Sequence, residues 1–269
     1  MARAALHLWE EPCISGSRGS GTVFFSGCSL RCRYCQNYRI SMEGFGKEIS
    51  VGRLSEIFLE LQEKGAHNIN LVTATPYLPW VIQALELAKP NINIPVVYNS
   101  GGYETVETVR ALKDFVDVYL PDIKYFSGEL SKEYSGAEDY FEVAAAAVKE
   151  MISQTDELRF DGRGLLQKGV VIRHLVLPGC RKDSFAILKW IDETLPKDKF
   201  LLSLMSQYTP TEKTAEHTKL NRKVTAFEYD SVVNEAVRLG LTSGFTQERS
   251  SAKERYIPPF DLEGVGANI

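Results

Sequence analysis

The chain has 269 residues, 44% of them hydrophobic and 25% charged, so it can bury a sizeable core. Its 31 basic and 35 acidic residues give a net charge of −4 at pH 7, which offers no electrostatic basis for binding nucleic acid or an anionic membrane. No apolar run approaches the roughly 18 residues of a membrane span, and His7 and Glu10 interrupt the N-terminal stretch where a signal peptide would need its apolar core. We therefore expect a cytoplasmic globular protein with neither a nucleic-acid nor a membrane partner.

The first 21 residues have the composition of a loop. Glycines and a proline are scattered among serines, which predicts an irregular N-terminal extension over 1–21 that wraps one edge of the domain. The next four residues, 22–25, are β-branched or aromatic and end at Ser26-Gly27. They predict the first buried strand.

The remainder of the chain alternates strand patterns with helix patterns. Strands are predicted at 69–73, 95–98, 116–120, 169–175 and 200–204, and helices at 50–65, 77–88, 106–115, 141–152, 185–191 and 229–239. Strands that alternate with helices form parallel βαβ units with right-handed crossovers. Eight units close a full barrel, so six predict an α/β fold with a partial (β/α)6 barrel over 22–245 and a tail over 246–269.

Four polar segments lie outside these elements. Residues 127–139 and 154–168 are predicted surface loops, the second a candidate lid, and 209–224 is a candidate flap over the barrel mouth. The tail is expected to be partly disordered or packed along the barrel.

Three of the five cysteines, Cys28, Cys32 and Cys35, fall within eight residues. Thiolates gathered this closely suit iron or zinc. A [4Fe–4S] cluster normally takes four cysteines, so three leave one iron open to another ligand. A structural zinc completed by Cys13, Cys180 or a histidine is the alternative, although zinc motifs usually carry a second C-x2-C pair. A disulfide cluster is disfavoured by the odd cysteine count and a reducing compartment.

The segment C-x3-C-x-aromatic-C, with Tyr34 in the aromatic position, closely resembles the cluster-binding loop of the radical S-adenosylmethionine (SAM) enzymes. The resemblance implies that the three cysteines hold a [4Fe–4S] cluster, that SAM chelates the fourth iron, and that the barrel is of the radical SAM type. It also implies an electron donor such as flavodoxin or ferredoxin. With that electron, SAM is cleaved to methionine and a 5′-deoxyadenosyl radical that abstracts hydrogen. Tyr34 and Gln36 are candidate cofactor-binding residues of this loop.

Loops that leave the strand C-termini form the site of such folds, and SAM needs partners there for its amino, carboxylate and hydroxyl groups. Thr73 and Thr75 end the second strand, where radical SAM enzymes commonly carry a Gly-Gly-Glu motif for the amino end of SAM. This chain departs from that motif and offers hydroxyls and backbone carbonyls instead. A threonine-rich strand end without a ligand is the alternative.

The third and fourth strands end in further candidates. Asn99 begins an Asn-Ser-Gly-Gly turn, whose two glycines allow a ligand to approach the backbone closely. Asp122 and Lys124 point the same way because side chains alternate along a strand. They resemble the Asp-hydrophobic-Lys motif of glycyl-radical-enzyme activases. Either they bind a ribose or carboxylate of the cofactor, or they pair with each other.

On the fifth strand Arg173 is a candidate carboxylate partner because its guanidinium can bind two oxygens at once. His174 should face the opposite side as a structural histidine. Cys180 is expected to be a packed small residue, with a redox or auxiliary ligand role as the alternative. After the sixth strand, Gln207 is a candidate cofactor-binding residue beside Met205, for which core packing is equally possible.

The segment 7–16 and the run through Gly27-Cys28 are similar to homologues of pyruvate formate-lyase activating enzyme. This narrower resemblance implies a large glycyl radical enzyme as a possible partner. A small-molecule or peptide substrate is one alternative function, and a non-catalytic iron–sulfur or zinc protein is another.

Overall fold

A twisted sheet organises the computed structural model, which describes residues 1–247 and 258–266. Its strands are β1 (Arg3–His7), β2 (Ser20–Phe24), β3 (Ile69–Val72), β4 (Val96–Ser100), β5 (Val118–Pro121), β6 (Arg159–Phe160), β7 (Leu166–Leu175), β8 (Phe200–Met205) and β9 (Gly244–Thr246). The order in the sheet is β1-β2-β3-β4-β5-β7-β8-β9, and β6 pairs with β7. All neighbours from β2 to β9 along this order are parallel, whereas β1 runs antiparallel to β2.

Helices follow the parallel strands in turn. They are α1 (Pro12–Ser15), α2 (Tyr38–Ser41), α3 (Val51–Glu63), α4 (Leu78–Ala88), α5 (Val106–Ala111), α6 (Gly128–Ser135), α7 (Tyr140–Thr155), α8 (Arg181–Thr194) and α9 (Ala226–Arg238). The six predicted strand–helix units are all present, so the α/β class and the partial (β/α)6 barrel are confirmed. The short β9 extends the sheet by one further parallel strand. Within the described ranges no helix is long and apolar enough to cross a membrane.

The two faces of the sheet are packed differently. Side chains of the outer face, such as Leu71, Ile172 and Leu202, pack beneath the helices in the largest apolar cluster. The lower part of the inner face is also apolar, and Cys13 and Ile14 of α1 pack against it; its strand residues are Val97, Val118, Leu120, Leu166, Val171 and Leu201. The N-terminal segment therefore closes the floor of the barrel, opposite the strand C-termini.

The expectation that 1–21 lacks regular structure is wrong. Arg3–His7 forms β1, which pairs along its length with β2, and Ala2 and Ala4 are buried. Alanine has low β-propensity, so this strand carries no sequence signal of its own. Its formation depends on pairing with β2 and on the tail, where Ala4 N–H donates to Glu263 O at 2.8 Å. The division into 1–21, 22–245 and 246–269 stays a prediction.

Two predicted loops also differ from the structure. Residues 127–139 contain α6, whose N-terminus is capped by Ser127 and which ends at Gly136 in the left-handed conformation. The candidate lid, 154–168, instead forms the β6–β7 pairing at the N-terminal end of β7. It therefore lies at the opposite end of the barrel from the mouth, and the lid hypothesis is wrong.

The segment 209–224 and the tail pack against the barrel. Tyr208 Oη donates to Leu220 O at 2.6 Å, and the His217 ring packs edge-on against Tyr134. In the described part of the tail, Phe260 packs against Phe24. The prediction of tail packing is confirmed for 258–266. Residues 248–257 and 267–269 lie outside the described residues, and the alternative of partial disorder stays a prediction.

Candidate active site

The cysteine loop leaves the C-terminal end of β2 and is fixed against α6. Arg31 N–H donates to Ser135 O at 3.1 Å, and Arg33 N–H donates to Tyr134 O at 2.8 Å. Gly27, at φ +85°, turns the chain into the loop and donates to Ile40 O at 2.9 Å. The three cysteines are thus presented at the barrel mouth by backbone bonds on both sides of the loop.

The three loop thiols are partly or wholly removed from solvent. Cys32 is buried, and Cys28 and Cys35 are half-buried. Burial raises the pKa of Cys32 to about 11 and raises that of Cys28, while the nearby Lys124 ammonium favours the Cys32 thiolate. A metal that binds thiolates must displace these protons, so loading of the site should release acid.

The other two cysteines lie elsewhere. Cys13 belongs to the apolar floor of the barrel, and Cys180 is buried among the tyrosines behind the loop, with its Sγ 3.7 Å from Pro178 O. This packing agrees with the expected packed role of Cys180. No group of three or more His, Cys, Asp or Glu side chains in the described ranges is gathered around a single ion position.

A cavity at the mouth brings most of the predicted site residues together. Nine of the twelve line it, namely Cys32, Tyr34, Cys35, Gln36, Asn99, Asp122, Lys124, Arg173 and Gln207. Its volume of about 230 Å³ is below the roughly 300–1,000 Å³ of usual ligand pockets, and charged side chains on its wall bond one another. Cys28, Thr73 and Thr75 lie outside its lining.

Arg173 is the centre of a charged network inside this cavity. Its Nε donates to Asp122 Oδ1 at 2.9 Å, its Nη2 to Asn99 Oδ1 at 2.6 Å and its Nη1 to Glu10 Oε2 at 3.2 Å. Lys124 forms an ion pair with the other oxygen of Asp122. The predicted mutual pairing of Asp122 and Lys124 is therefore present, and these two residues, Asn99 and Arg173 act as one unit.

The network sets the charge of its members. Burial alone would raise the pKa of Asp122, but Arg173 and Lys124 hold that pKa below its usual value. Burial would lower the pKa of Lys124, and Asp122 beside it raises that pKa instead. For Glu10, burial outweighs the neighbouring Arg173 and raises the carboxyl pKa. Asp122, Lys124 and Arg173 are thus held in their charged forms.

Glu10 is a site residue that the sequence analysis did not assign. Its Oε1 accepts hydrogen bonds from Asn70 Nδ2 at 3.1 Å and Asn99 Nδ2 at 3.2 Å. The signal for Glu10 was present in the segment 7–16, but nothing in the sequence shows that this segment enters the barrel. The role of Asn70, in the middle of β3, follows only from the fold.

A second buried polar cluster lies beside the cysteine loop. Thr75 Oγ1 donates to Glu104 Oε1 at 2.6 Å and lies 3.0 Å from Tyr98 Oη. Glu104 is 3% exposed, and burial raises its pKa to about 7. Its Oε2 has no hydrogen-bond partner among the residues that the structure describes. Burial is the main cause of the raised pKa of Cys28, and the carboxylate of Glu104 adds to it, so Glu104 interacts electrostatically with the cysteine loop.

Other predictions for the mouth have mixed outcomes. A side chain at Gly102, where φ is +80°, would meet Asp122 O at 2.0 Å. The group that closely approaches this glycine is therefore the backbone of Asp122. His174 is buried and bonds Ile123 O at 2.7 Å and Ser184 Oγ at 2.9 Å, which confirms its structural role. Gln207 contacts the cysteine loop, since its backbone carbonyl accepts a hydrogen bond from Gln36 Nε2 at 3.3 Å.

Comparison with known proteins decides the family. The model of the radical SAM superfamily matches residues 22–158, about half of the chain, including the cysteine loop and both charged residues after β5. The chain belongs to the radical SAM superfamily. As a radical SAM protein it shares the cofactors of that superfamily, a [4Fe–4S] cluster and SAM, and the prediction of both is confirmed at this level. The assignment of the cluster to Cys28, Cys32 and Cys35, and of SAM to the predicted contact residues, stays a prediction.

Individual relatives of this radical SAM protein are distant. The uncharacterized protein MJ0674 of Methanocaldococcus jannaschii is 31% identical over 88% of the chain and 66% of its own length. A crystal structure of Streptococcus suis SuiB bound to precursor peptide SuiA has a TM-score of 0.57 at 13% identity, covering 84% of this chain and 48% of SuiB. A domain of pyruvate-formate lyase-activating enzyme from Bacteroides vulgatus has a TM-score of 0.47 at 12% identity. The match covers 64% of this chain and 92% of that domain. The chain thus spans about two thirds of MJ0674 and half of SuiB.

Proposed function

We propose that this protein is a radical SAM oxidoreductase that cleaves SAM reductively and abstracts hydrogen from a protein substrate, with the glycine of a glycyl radical enzyme as the leading candidate. The observation that carries the proposal is the meeting of two of the three loop cysteines with Asp122, Lys124 and Arg173 in one cavity. Cluster and SAM, when bound, supply the one-electron reduction that yields methionine and a 5′-deoxyadenosyl radical. The protein's own residues then have to hold the cofactor and exclude water.

Cys28, Cys32 and Cys35 are the proposed cluster ligands. They fit the group, because the loop supplies three thiolates and leaves one coordination position to SAM. Asp122 and Lys124, which now neutralise each other, are proposed to bind a ribose hydroxyl and the carboxylate of SAM, and Arg173 is a further carboxylate partner. Tyr34, Gln36, Asn99 and Gln207 line the remaining wall of the cavity.

Glu104 is our candidate for the partner of the SAM amino group. A buried carboxylate oxygen without a hydrogen-bond partner is costly, and an ammonium group would satisfy it. Glu104 lies beside Thr75 at the strand end predicted to receive the amino end of SAM. A carboxylate from the loop after β4 would thus replace the missing acid of the Gly-Gly-Glu motif, and Thr75 would orient it. Thr73 stays a predicted contact.

A protein or peptide substrate is favoured by the open edge of the barrel. The described sheet runs from β1 to β9 without closing, which leaves room for a chain segment to reach the mouth. Flavodoxin or ferredoxin is the proposed electron donor, and the cytoplasm the proposed location, since it is reducing. A peptide other than a glycyl radical enzyme is the alternative substrate, and SuiB is a structural neighbour whose crystal contains a precursor peptide.

The test of the proposal is anaerobic reconstitution with iron and sulfide, followed by a reductant and SAM. We expect 5′-deoxyadenosine in the product mixture by liquid chromatography and mass spectrometry. With a glycyl radical enzyme as partner, we expect a glycyl radical signal by electron paramagnetic resonance (EPR). A protein that holds a [4Fe–4S] cluster but never cleaves SAM would refute the proposed activity, and cleavage without a glycyl radical would shift the substrate to the peptide alternative.

Glu104→Gln should weaken SAM binding by about 10- to 100-fold, because a hydrogen bond to a charged group contributes about 1.5–3 kcal/mol. For the natural protein, SAM affinity should rise as pH increases through about 7, where Glu104 ionises, whereas the variant should lack this step. Equilibrium dialysis of the cluster-loaded protein measures both. Glu107→Gln, an exposed glutamate on α5, is the control and should bind SAM normally.

The stability of the apoprotein gives an independent check on Glu104. The pKa of Glu104 is raised from 4.5 to about 7 by burial. Its contribution to the free energy of unfolding is therefore fully present below about pH 4.5 and is lost as pH rises through 7. Glu104→Gln cannot ionise, and its stability relative to the natural protein should therefore increase by about 3 kcal/mol over this window. A stability difference that does not vary with pH in urea unfolding would mean that Glu104 has an ordinary pKa.

A further inference from the structure

Each sulfur of the cysteine loop has a hydrogen-bonding group of its own. Leu30 N–H lies 3.4 Å from Cys28 Sγ, and Ser41 Oγ lies 3.2 Å from Cys35 Sγ. Both come from the loop or the short helix α2 that follows it. Cys32 differs, because its sulfur accepts a hydrogen bond at 3.0 Å from Ser135 Oγ, 103 residues further along the chain. A separate part of the protein therefore controls the surroundings of this one sulfur.

Ser135 is also the last member of a chain of hydroxyl groups. Tyr34 Oη lies 2.6 Å from Tyr125 Oη, which in turn lies 2.7 Å from Ser135 Oγ. A thiolate has no proton to give, so Ser135 has to donate to Cys32, accept from Tyr125, and thereby orient Tyr34 to donate to Tyr125. All three hydroxyls then point their protons toward the sulfur.

The surroundings of this chain make it effective. Tyr34, Tyr125 and Ser135 are 7%, 1% and 3% exposed, so bulk water cannot replace any of these bonds. Hydrogen bonds in a buried chain polarise one another, and each strengthens the next. The position is fixed as well, since Ser135 ends α6 and its carbonyl accepts from the backbone of Arg31 in the cysteine loop.

We propose that Ser135, supported by Tyr125 and Tyr34, raises the reduction potential of the cluster by donating a hydrogen bond to the Cys32 thiolate. The inference rests on the proposed function, in which Cys32 is a cluster ligand. Hydrogen bonds to the sulfurs are among the factors that set cluster potentials. Reduction adds a negative charge that spreads onto the ligand sulfurs, so a donor stabilises the reduced form more than the oxidised form. Ser135 is therefore a positioning residue that acts through Cys32.

Ser135→Ala removes the donor and only one oxygen atom. We expect it to load the cluster and to shift the equilibrium toward the oxidised form by about tenfold, which is 59 mV to more negative potential for one electron. Tyr125→Phe should give a smaller shift in the same direction, because Tyr125 acts through Ser135. Tyr34→Phe should give the smallest shift, because Tyr34 acts through both Tyr125 and Ser135. Anaerobic redox titration followed by EPR measures all three. Ser131→Ala is the matched control, since Ser131 is equally buried on α6 but bonds Gly128 O; its potential should be unchanged.

Deuterium labelling tests the bond itself. In D2O, pulsed EPR of the reduced natural protein should show a deuteron coupled to the cluster that Ser135→Ala lacks. Loading of the cluster with natural potential in Ser135→Ala and Tyr125→Phe would overturn the inference. If Ser135→Ala fails to hold a cluster, the reduction potentials of the two tyrosine variants decide. A larger negative shift in Tyr125→Phe than in Tyr34→Phe supports the inference, and natural potentials in both overturn it. Failure of the natural protein to bind a cluster would instead refute the proposed function, so the two failures are distinguishable.

Discussion

Replacing any one of Cys28, Cys32 and Cys35 by alanine is expected to abolish SAM cleavage and to reduce the iron bound after reconstitution to a small fraction of the natural amount. Each is proposed to supply one of only three protein thiolates, so a variant has two, too few to hold the cluster. Iron and sulfide analysis, the absorbance of the reconstituted protein and 5′-deoxyadenosine formation measure the effect.

The same experiment on the other two cysteines separates an open cluster from a closed site. Cys13→Ala and Cys180→Ala remove buried thiols that lie in the barrel floor and behind the loop. An open cluster should survive both changes with its activity, at a modest cost in stability. Loss of the metal in either variant would indicate a fourth protein thiolate and would support a closed iron–sulfur or zinc site instead.

Arg173→Met is expected to destabilise the protein by about 3–5 kcal/mol and to weaken SAM binding. The Arg173 side chain is 13% exposed and pairs with the largely buried carboxylates of Glu10 and Asp122. Removal of Arg173 leaves the buried carboxylate of Glu10 without its cationic partner and Asp122 with Lys124 alone. Urea unfolding of the apoprotein measures the stability, and dialysis of the cluster-loaded protein measures SAM binding.

Arg110→Met is the matched control for this change. Arg110 is 64% exposed and pairs with Glu150 at 3.4 Å, and exposed ion pairs contribute only about 0–1 kcal/mol. A similar small loss in Arg173→Met would show that the network does not stabilise the fold. Adding Glu10→Gln to Arg173→Met should restore part of the stability, because it removes the carboxylate that loses its ion-pair partner, whereas Asp122 still pairs with Lys124.

The sequence predicted the repeating part of the fold well because that part follows from local pattern. Apolar residues at helical spacing and β-branched runs identify α3, α4 and β7 without reference to any neighbour. Arg3–His7 could not be identified in this way, since its alanines become a strand only beside β2. The same holds for α6, where polar residues on the exposed face conceal the buried Tyr134 and Ser135.

The site was predictable where strand ends carry polar residues and not where distant segments fold into it. Asp122, Lys124 and Arg173 follow from the rule that parallel strands meet with their C-termini at one edge. Glu10 reaches the cavity from a segment that precedes the first parallel strand, and Glu104 lies two residues beyond the turn that begins at Asn99. Neither position can be inferred from periodicity, because each depends on how a loop folds back in three dimensions.

The plug that Cys13 and Ile14 form beneath the cavity has a kinetic consequence. With the floor closed by these described residues, a small molecule reaches the cavity from the side of the strand C-termini and not from below. Under the proposed function, SAM bound near Arg173 would be trapped once the protein substrate covers the mouth. We therefore infer an ordered sequence in which SAM binds first and its fragments leave only after the protein substrate has dissociated.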